Sequence, residues 1–182
     1  REATPEDIKW AVPVIKDIIK AYNIPLLEVA DYEADDVIGT LAVKGVSEGL
    51  EVHMVTPDKD YAQLVRPGVF MRRPGHGAAG MEKLGPAEVC AKYGIESTEQ
   101  VIDLLGLMGD TADNVPGCPG VGKKTAVKLI NQFGSIDNLL THTDQLKGAM
   151  KKKVEENVEQ IRFSKFLVTI KTDVPIQLDL DQ

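Results

Sequence analysis

Two short apolar runs, IPLLEVA at residues 24–30 and LEVHMVT at 50–56, each give way to a stretch whose apolar residues recur at helical spacing. Strands that alternate with helices in this way predict parallel pairing, because the crossover helix returns the chain to the same end of the sheet. An α/β fold is therefore expected for the first half of the chain. Ahead of it, Thr4 as N-cap, Pro5 in the first helical position and Glu6 and Asp7 in the first turn predict a helix as far as Tyr22, kinked at Pro13. Val37, Ile38, Leu41 and Ala42 mark the inner face of the next helix, and DKDYAQLV begins a third. VFMRRPGHGAAGM, residues 69–81, reads as a strand entering a glycine-rich turn. PAEVCAKYG is a short helix closed by Gly94.

From residue 97 onward only helical patterns follow: STEQVIDLLGLMG, KKTAVKLINQFG, SIDNLL and a long basic helix over MKKKVEENVEQIRFSKFLV. The expected organisation is an α/β core over 1–95, a helical region over 96–172, and 173–182 as an edge strand or linker toward a further domain. With no membrane-length apolar run and two cysteines, Cys90 and Cys118, that lack metal or disulfide spacing, a reducing cytoplasm is expected.

The net charge of -7 argues, as an average, against a nucleic-acid partner, but residues 117–172 carry a balance of +5 and the remainder -12. A split of this kind suits a phosphate-facing segment beside a cation-holding one, although two solvated surfaces would produce it as well.

The acids gather at three element ends. DYEADD places Glu33, Asp35 and Asp36 where a strand becomes a helix, a position that acids also favour simply because they meet the positive end of the helix dipole. PDKD places Asp58 and Asp60 after the strand at 50–56, where Asp58 could serve as an ordinary N-cap. GDTADN places Asp110 and Asp113 at the end of a helix, on one face if helical geometry continues. Acids there oppose the dipole, so a cation should compensate them. Brought to one rim, the seven carboxylates would repel one another unless hard divalent ions sat among them. All-oxygen ligation points to Mg²⁺ or Mn²⁺, and His53, His76 and His142 show no ligand spacing.

PGCPGVGKKTA, residues 116–126, has the GxxxxGK spacing of a nucleotide-binding P-loop, but Lys124 stands where that loop needs a Ser or Thr hydroxyl for magnesium, and the segment upstream is helical. The alternative is a hairpin between two helices that aims backbone N–H groups and a helix N-terminus at a phosphate. Lys123, Lys124 and Lys128 would add sequence-blind attraction to a nucleic-acid backbone, joined by the lysines at 147 and 151–153.

YEADD, DKD after a strand, GDTADN and VPGCPGVGKKTAVKLI, in that order, closely resemble the 5′-nuclease domain of bacterial DNA polymerase I, a relative of the flap endonucleases. The resemblance covers essentially the whole chain and implies a parallel-sheet nuclease core followed by a helix-hairpin-helix motif. It assigns Glu33, Asp35 and Asp36 to a first Mg²⁺ or Mn²⁺ site and Asp58, Asp60, Asp110 and Asp113 to a second. It gives the hairpin, as Gly117, Gly120, Val121, Gly122, Lys123, Lys124, Thr125 and Lys128, to the duplex backbone, often with a K⁺ ion on its carbonyls. The implied activity is hydrolysis of DNA or of an RNA primer on DNA at a 5′ end, flap or nick, in a chain linked to polymerase domains and working on the bacterial nucleoid. Family members begin with a further strand, two more aspartates and a basic arch that are not seen here, so the first metal site is expected to be incomplete and cleavage weak or absent. A non-catalytic duplex-binding module is the alternative.

Overall fold

The computed structural model describes residues 3–75 and 80–180; the glycine-rich turn expected within 69–81, His76 included, lies partly outside them. Eight α-helices and three strands are described: α1 Glu6–Ala21, α2 Ala34–Ser47, β1 Val52–Val55, β2 Val69–Pro74, β3 Met81–Leu84, α3 Pro86–Tyr93, α4 Gln100–Met108, α5 Lys123–Phe133, α6 Ile136–Thr141, α7 Gly148–Glu156 and α8 Val158–Val168, with a 3-10 helix at Lys59–Leu64 and another at Thr143–Gln145.

The sheet is mixed rather than purely parallel. β1 and β2 run parallel, with Val52 opposite Val69, and β3 folds back antiparallel on β2, with Met71 opposite Leu84. Sequence inspection missed β3 because MEKL has neither apolar alternation nor β-branched residues. The expected strand at 24–30 does not form: Ile24 and Leu27 are exposed, and no ladder partner stands beside them among the described residues. Apolar content without a neighbouring edge cannot satisfy strand backbone groups. The segment is held to α1 instead, by an ion pair between Lys16 and Glu28. α1 itself is capped at Pro5 rather than Thr4, runs through Pro13 and contributes no buried residue.

Two other expected helices are shorter or different in kind. DKDYAQLV is a six-residue 3-10 helix in which Tyr61, Ala62, Gln63 and Leu64 are buried. The long basic helix breaks at Asn157, whose side-chain amide donates to the Lys153 carbonyl, giving α7 and α8. The closing segment is extended but pairs with no strand among the described residues. Its backbone is tied by side chains: Lys171 N donates to Asp36 Oδ1 at 2.8 Å, Val174 N to Thr40 Oγ1 at 3.1 Å, and Lys44 donates to the Ile176 carbonyl.

The core centres on α4, whose Val101, Leu104, Leu105 and Leu107 are fully buried against α5, α8 and the 3-10 helix. Contact with α8 is close because of Gly106: a Cβ there would lie 3.0 Å from the Lys165 Cα. Just beyond α4, Gly109 and Gly117 pass back to back, each with positive φ. A Cβ on Gly109 would lie 2.5 Å from the Val115 carbonyl oxygen, and one on Gly117 2.5 Å from the Gly109 nitrogen. Only glycine fits either place.

Gly109→Ala is expected to lower stability by ~2–4 kcal/mol, combining left-handed strain with a backbone clash. Gly49→Ala, also at positive φ but facing open space, should lose only ~1–2 kcal/mol. Urea denaturation of the two variants measures the difference.

Candidate metal centre and nucleic-acid interface

The acids of the three clusters converge. Glu33, Asp35, Asp58, Asp60 and Asp113 line one cleft of about 440 Å³, with Tyr61, Val115, Leu167 and Val168 forming its less polar wall. Asp110 joins from the side: Asp60, Asp110 and Asp113 each offer a carboxylate oxygen within 4.8 Å of the others. Asp36 faces an adjoining cleft shared with Glu33, Asp35 and Asp60.

Local structure fixes these side chains differently. Glu33 is the N-cap residue of α2, yet its side chain makes no capping bond; Asp35 and Asp36 sit in the first turn, where the helix dipole also favours acids. Asp36 is committed to the fold through the Lys171 amide. Asp58 does cap its helix, accepting from Asp60 N at 3.0 Å, while Thr56 Oγ1 accepts from Asp58 N. Asp110 and Asp113 are not on one helical face, because α4 ends at Met108 and Gly109 turns the chain. Asp110 instead exchanges two backbone hydrogen bonds with Val115, at 2.9 and 2.7 Å, and Asn114 adopts the left-handed conformation that closes this turn. Within the turn, Asp110 Oδ1 accepts from Ala112 N at 2.8 Å.

The cation expected beside these acids is Lys59, between Asp58 and Asp60 in sequence. Its ammonium is paired with Asp110 Oδ2, which lowers the Asp110 pKa, while the same hydrogen bond raises that of Lys59. The only hint in the sequence was a lysine flanked by two aspartates. Asp60 feels the Lys59 charge only at a distance, and it is outweighed. Burial, then the neighbouring charge of Asp58, push its pKa up to about 6, and its Oδ1 is shielded from solvent without a hydrogen-bond partner. An all-oxygen donor set with a shielded, unpartnered carboxylate oxygen fits a hard divalent cation.

The hairpin between α4 and α5 divides into an inner and an outer side. Gly117 and Val121 are buried. Gly117 N donates to Ser164 Oγ at 2.9 Å, and its carbonyl accepts from Gln160 Nε2 at 2.8 Å, so this residue anchors the turn on α8. Gly120, Gly122, Lys123, Lys124 and Lys128 are exposed, and Thr125 is half-buried. Gly122 caps α5 without a side-chain bond, and the first turn of α5 holds no acid. Lys153 of α7 leans over the turn, its Nζ 2.5 Å from where a Cβ on Gly120 would be. Tyr93, absent from the sequence reading, stands between hairpin and acids: its hydroxyl donates to the Lys59 carbonyl at 3.4 Å and Lys123 Nζ lies 5.7 Å from its ring centre.

A mixed sheet carrying an acidic cleft, followed by a helical hairpin region, is a fold shared with solved structures. The zinc-bound T5 5′-exonuclease superposes with a TM-score of 0.76 at 20% identity, over 93% of this chain and 64% of that one. The catalytic core of Rad2 in complex with DNA substrate gives 0.57 at 18% identity, over 92% of this chain and 55% of that one. Residues 1–94 match the 5′-3′ exonuclease N-terminal resolvase-like domain and residues 96–182 the 5′-3′ exonuclease C-terminal SAM fold. The chain belongs to the 5′-3′ exonuclease family. It is 42% identical to DNA polymerase I of Bacillus caldotenax across its whole length, and 40% identical to thermostable DNA polymerase I of Thermus thermophilus. It spans about a fifth of the length of these relatives, 21% in each case. No described helix is long and apolar enough to cross a membrane.

Because folded Asp60 titrates near 6 rather than 3.8, the folded state holds a proton that the unfolded chain has released between those values. That contribution to stability is full below about pH 4 and lost as pH rises through 6. Asp60→Asn, permanently neutral, is expected to be ~1–2 kcal/mol more stable than the parent at pH 7 in chelator, with the gain vanishing below pH 4. Thermal melts across pH 4–7 read it.

Proposed function

We propose that this chain is part of a divalent-metal-dependent 5′ nuclease that hydrolyses a phosphodiester bond near the 5′ end, flap or nick of a strand on duplex DNA, RNA primers included. The observation that carries the proposal is the convergence of Glu33, Asp35, Asp58, Asp60, Asp110 and Asp113, from three separate parts of the sequence, on one acidic cleft. Asp58, Asp60, Asp110 and Asp113 would hold one Mg²⁺ or Mn²⁺ ion, and Glu33, Asp35 and Asp36 would contribute to a second. Bound ions of this kind activate a water and stabilise the leaving oxygen of a phosphodiester. The residues' own part is positional. The Asp110–Val115 bridge and the Asp58 cap hold carboxylates in place before any ion arrives, which removes the cost of ordering them.

The outer side of the hairpin, Gly120, Gly122, Lys123, Lys124, Thr125 and Lys128, would grip the duplex backbone, with K⁺ on the hairpin carbonyls and Gly117 and Val121 shaping the turn from within. Sharing of Tyr93 between Lys59 and Lys123 supports a continuous path for one strand from grip to acids. Likeness to DNA polymerase I supports the further reading that the region serves primer removal and repair on the bacterial nucleoid, linked to polymerase domains.

Asp58→Asn with Asp113→Asn is the direct test, since asparagine still caps a helix but ligates poorly. Calorimetric Mn²⁺ binding should be lost while the fold persists. Unchanged binding would refute the metal centre and leave a non-catalytic duplex binder. Separately, duplex affinity should fall steeply with salt, and Lys123→Ala with Lys124→Ala should reduce the log–log slope by roughly 1–2. A salt-independent affinity would exclude the hairpin as a backbone grip.

A further inference from the structure

Asp110 has both carboxylate oxygens engaged. Oδ1 accepts the Ala112 N–H inside a turn whose ends are locked by the two Asp110–Val115 backbone hydrogen bonds, and Oδ2 takes the Lys59 ammonium. The first partner cannot leave without unmaking the turn. The second can, because Lys59 is a four-carbon side chain, 49% exposed, whereas the Asp110 carboxylate it holds is only 10% exposed. Lys59 also starts from a backbone fixed next to the site: Asp58 caps the helix that it opens, and Tyr93 donates to its carbonyl. Its charge therefore reaches the cluster of Asp60, Asp110 and Asp113 from a rigid root through a flexible arm.

We propose that Lys59 is an exchangeable counter-cation: its ammonium balances the Asp60–Asp110–Asp113 cluster in the metal-free protein and must give up Asp110 for a divalent ion to bind there. The inference rests on the metal centre proposed above and adds a role for a residue that is not itself a ligand. A monovalent ammonium and a divalent ion cannot share one carboxylate at contact distance without strong repulsion in a partly desolvated cleft. Metal affinity is accordingly the intrinsic affinity of the carboxylates reduced by the strength of the Lys59–Asp110 pair. The same pair lets three clustered aspartates fold together before any metal is present. Lys59 thus trades affinity for the stability of the metal-free state, and its release leaves a mobile cation on the rim of the cleft.

Mn²⁺ titration of Lys59→Met by calorimetry, beside the parent chain, tests this without turnover. The expected result is metal binding ~10-fold tighter or more in the variant, together with a lower melting temperature in chelator and a larger rise in melting temperature on adding Mn²⁺. Lys59→Arg, which keeps a cation on a long arm, should bind Mn²⁺ within about threefold of the parent. If Lys59→Met does not fold in chelator, Lys59→Gln refolded in Mn²⁺ and titrated back with a competing chelator gives the same comparison. Equal or weaker Mn²⁺ affinity in the neutral variants, while the parent binds the ion, overturns the exchange. Failure of the parent itself to bind Mn²⁺ brings down the metal centre instead, and with it this inference.

Discussion

The crossing of α4 and α8 sets the position of everything functional in this chain. Gly106 lets the two helices approach until only a glycine fits, and the pair of Gly109 and Gly117 then carries the chain out of the crossing along two strands of backbone in contact. The acids of the GDTADN turn lie between these two glycines, and the lysine-bearing hairpin follows Gly117. α8 secures the hairpin and the second acidic cluster: Ser164 and Gln160 hold Gly117, and the Val168 carbonyl, at its end, accepts from the buried Gln63 amide of the 3-10 helix that Asp58 caps. Helix packing is thus the reason that acids distant in sequence share a cleft.

Electrostatics then works against that geometry. Carboxylates placed within a few ångströms in a sheltered cleft repel, and their neutralisation has to come from protonation, a side-chain cation or a bound metal. Two of these are visible in the structure. Asp60 is shifted toward its protonated form by burial and by Asp58, while Asp110 is kept ionised by Lys59. Neighbouring acids in one cleft therefore take different solutions, decided by which of them a lysine can reach.

Much of this was legible in the sequence, for identifiable reasons. α3, α4, α5 and α6 follow apolar spacings that were read correctly, and Gly94 ends α3 as its position implied. α2 forms where expected but buries Val37, Gly39, Thr40, Ala42 and Gly45, leaving Ile38 exposed and Leu41 half-buried, because small residues let it pack closely. The acidic clusters and the glycine turn were visible because charge and glycine content are local. What was not legible depended on partners. IPLLEVA is apolar enough for a strand but has no edge to pair with, whereas MEKL is polar enough for a loop yet is drawn into a ladder by β2. Helical spacing between Asp110 and Asp113 suggested one face, but Gly109 had already ended the helix, and a β-bridge, not a helix turn, orients Asp110. Nor could sequence distinguish Asp36, spent on the Lys171 amide, from Glu33, which is free of any capping duty. Lys59 and Tyr93 were missed because single residues without periodicity carry meaning only once their neighbours are known.

The extended segment after α8 is stitched to α2 by the side chains of Asp36, Thr40 and Lys44, one helical turn apart, rather than by a sheet ladder. Those three fastenings lie in a row along the helix that bears Glu33 and Asp35 at its start. Tension on the polypeptide beyond residue 176 would therefore be loaded fastening by fastening, Lys44 first and Asp36 last. Mechanical force from that direction would arrive at the acidic end of α2 only after the other two links had yielded.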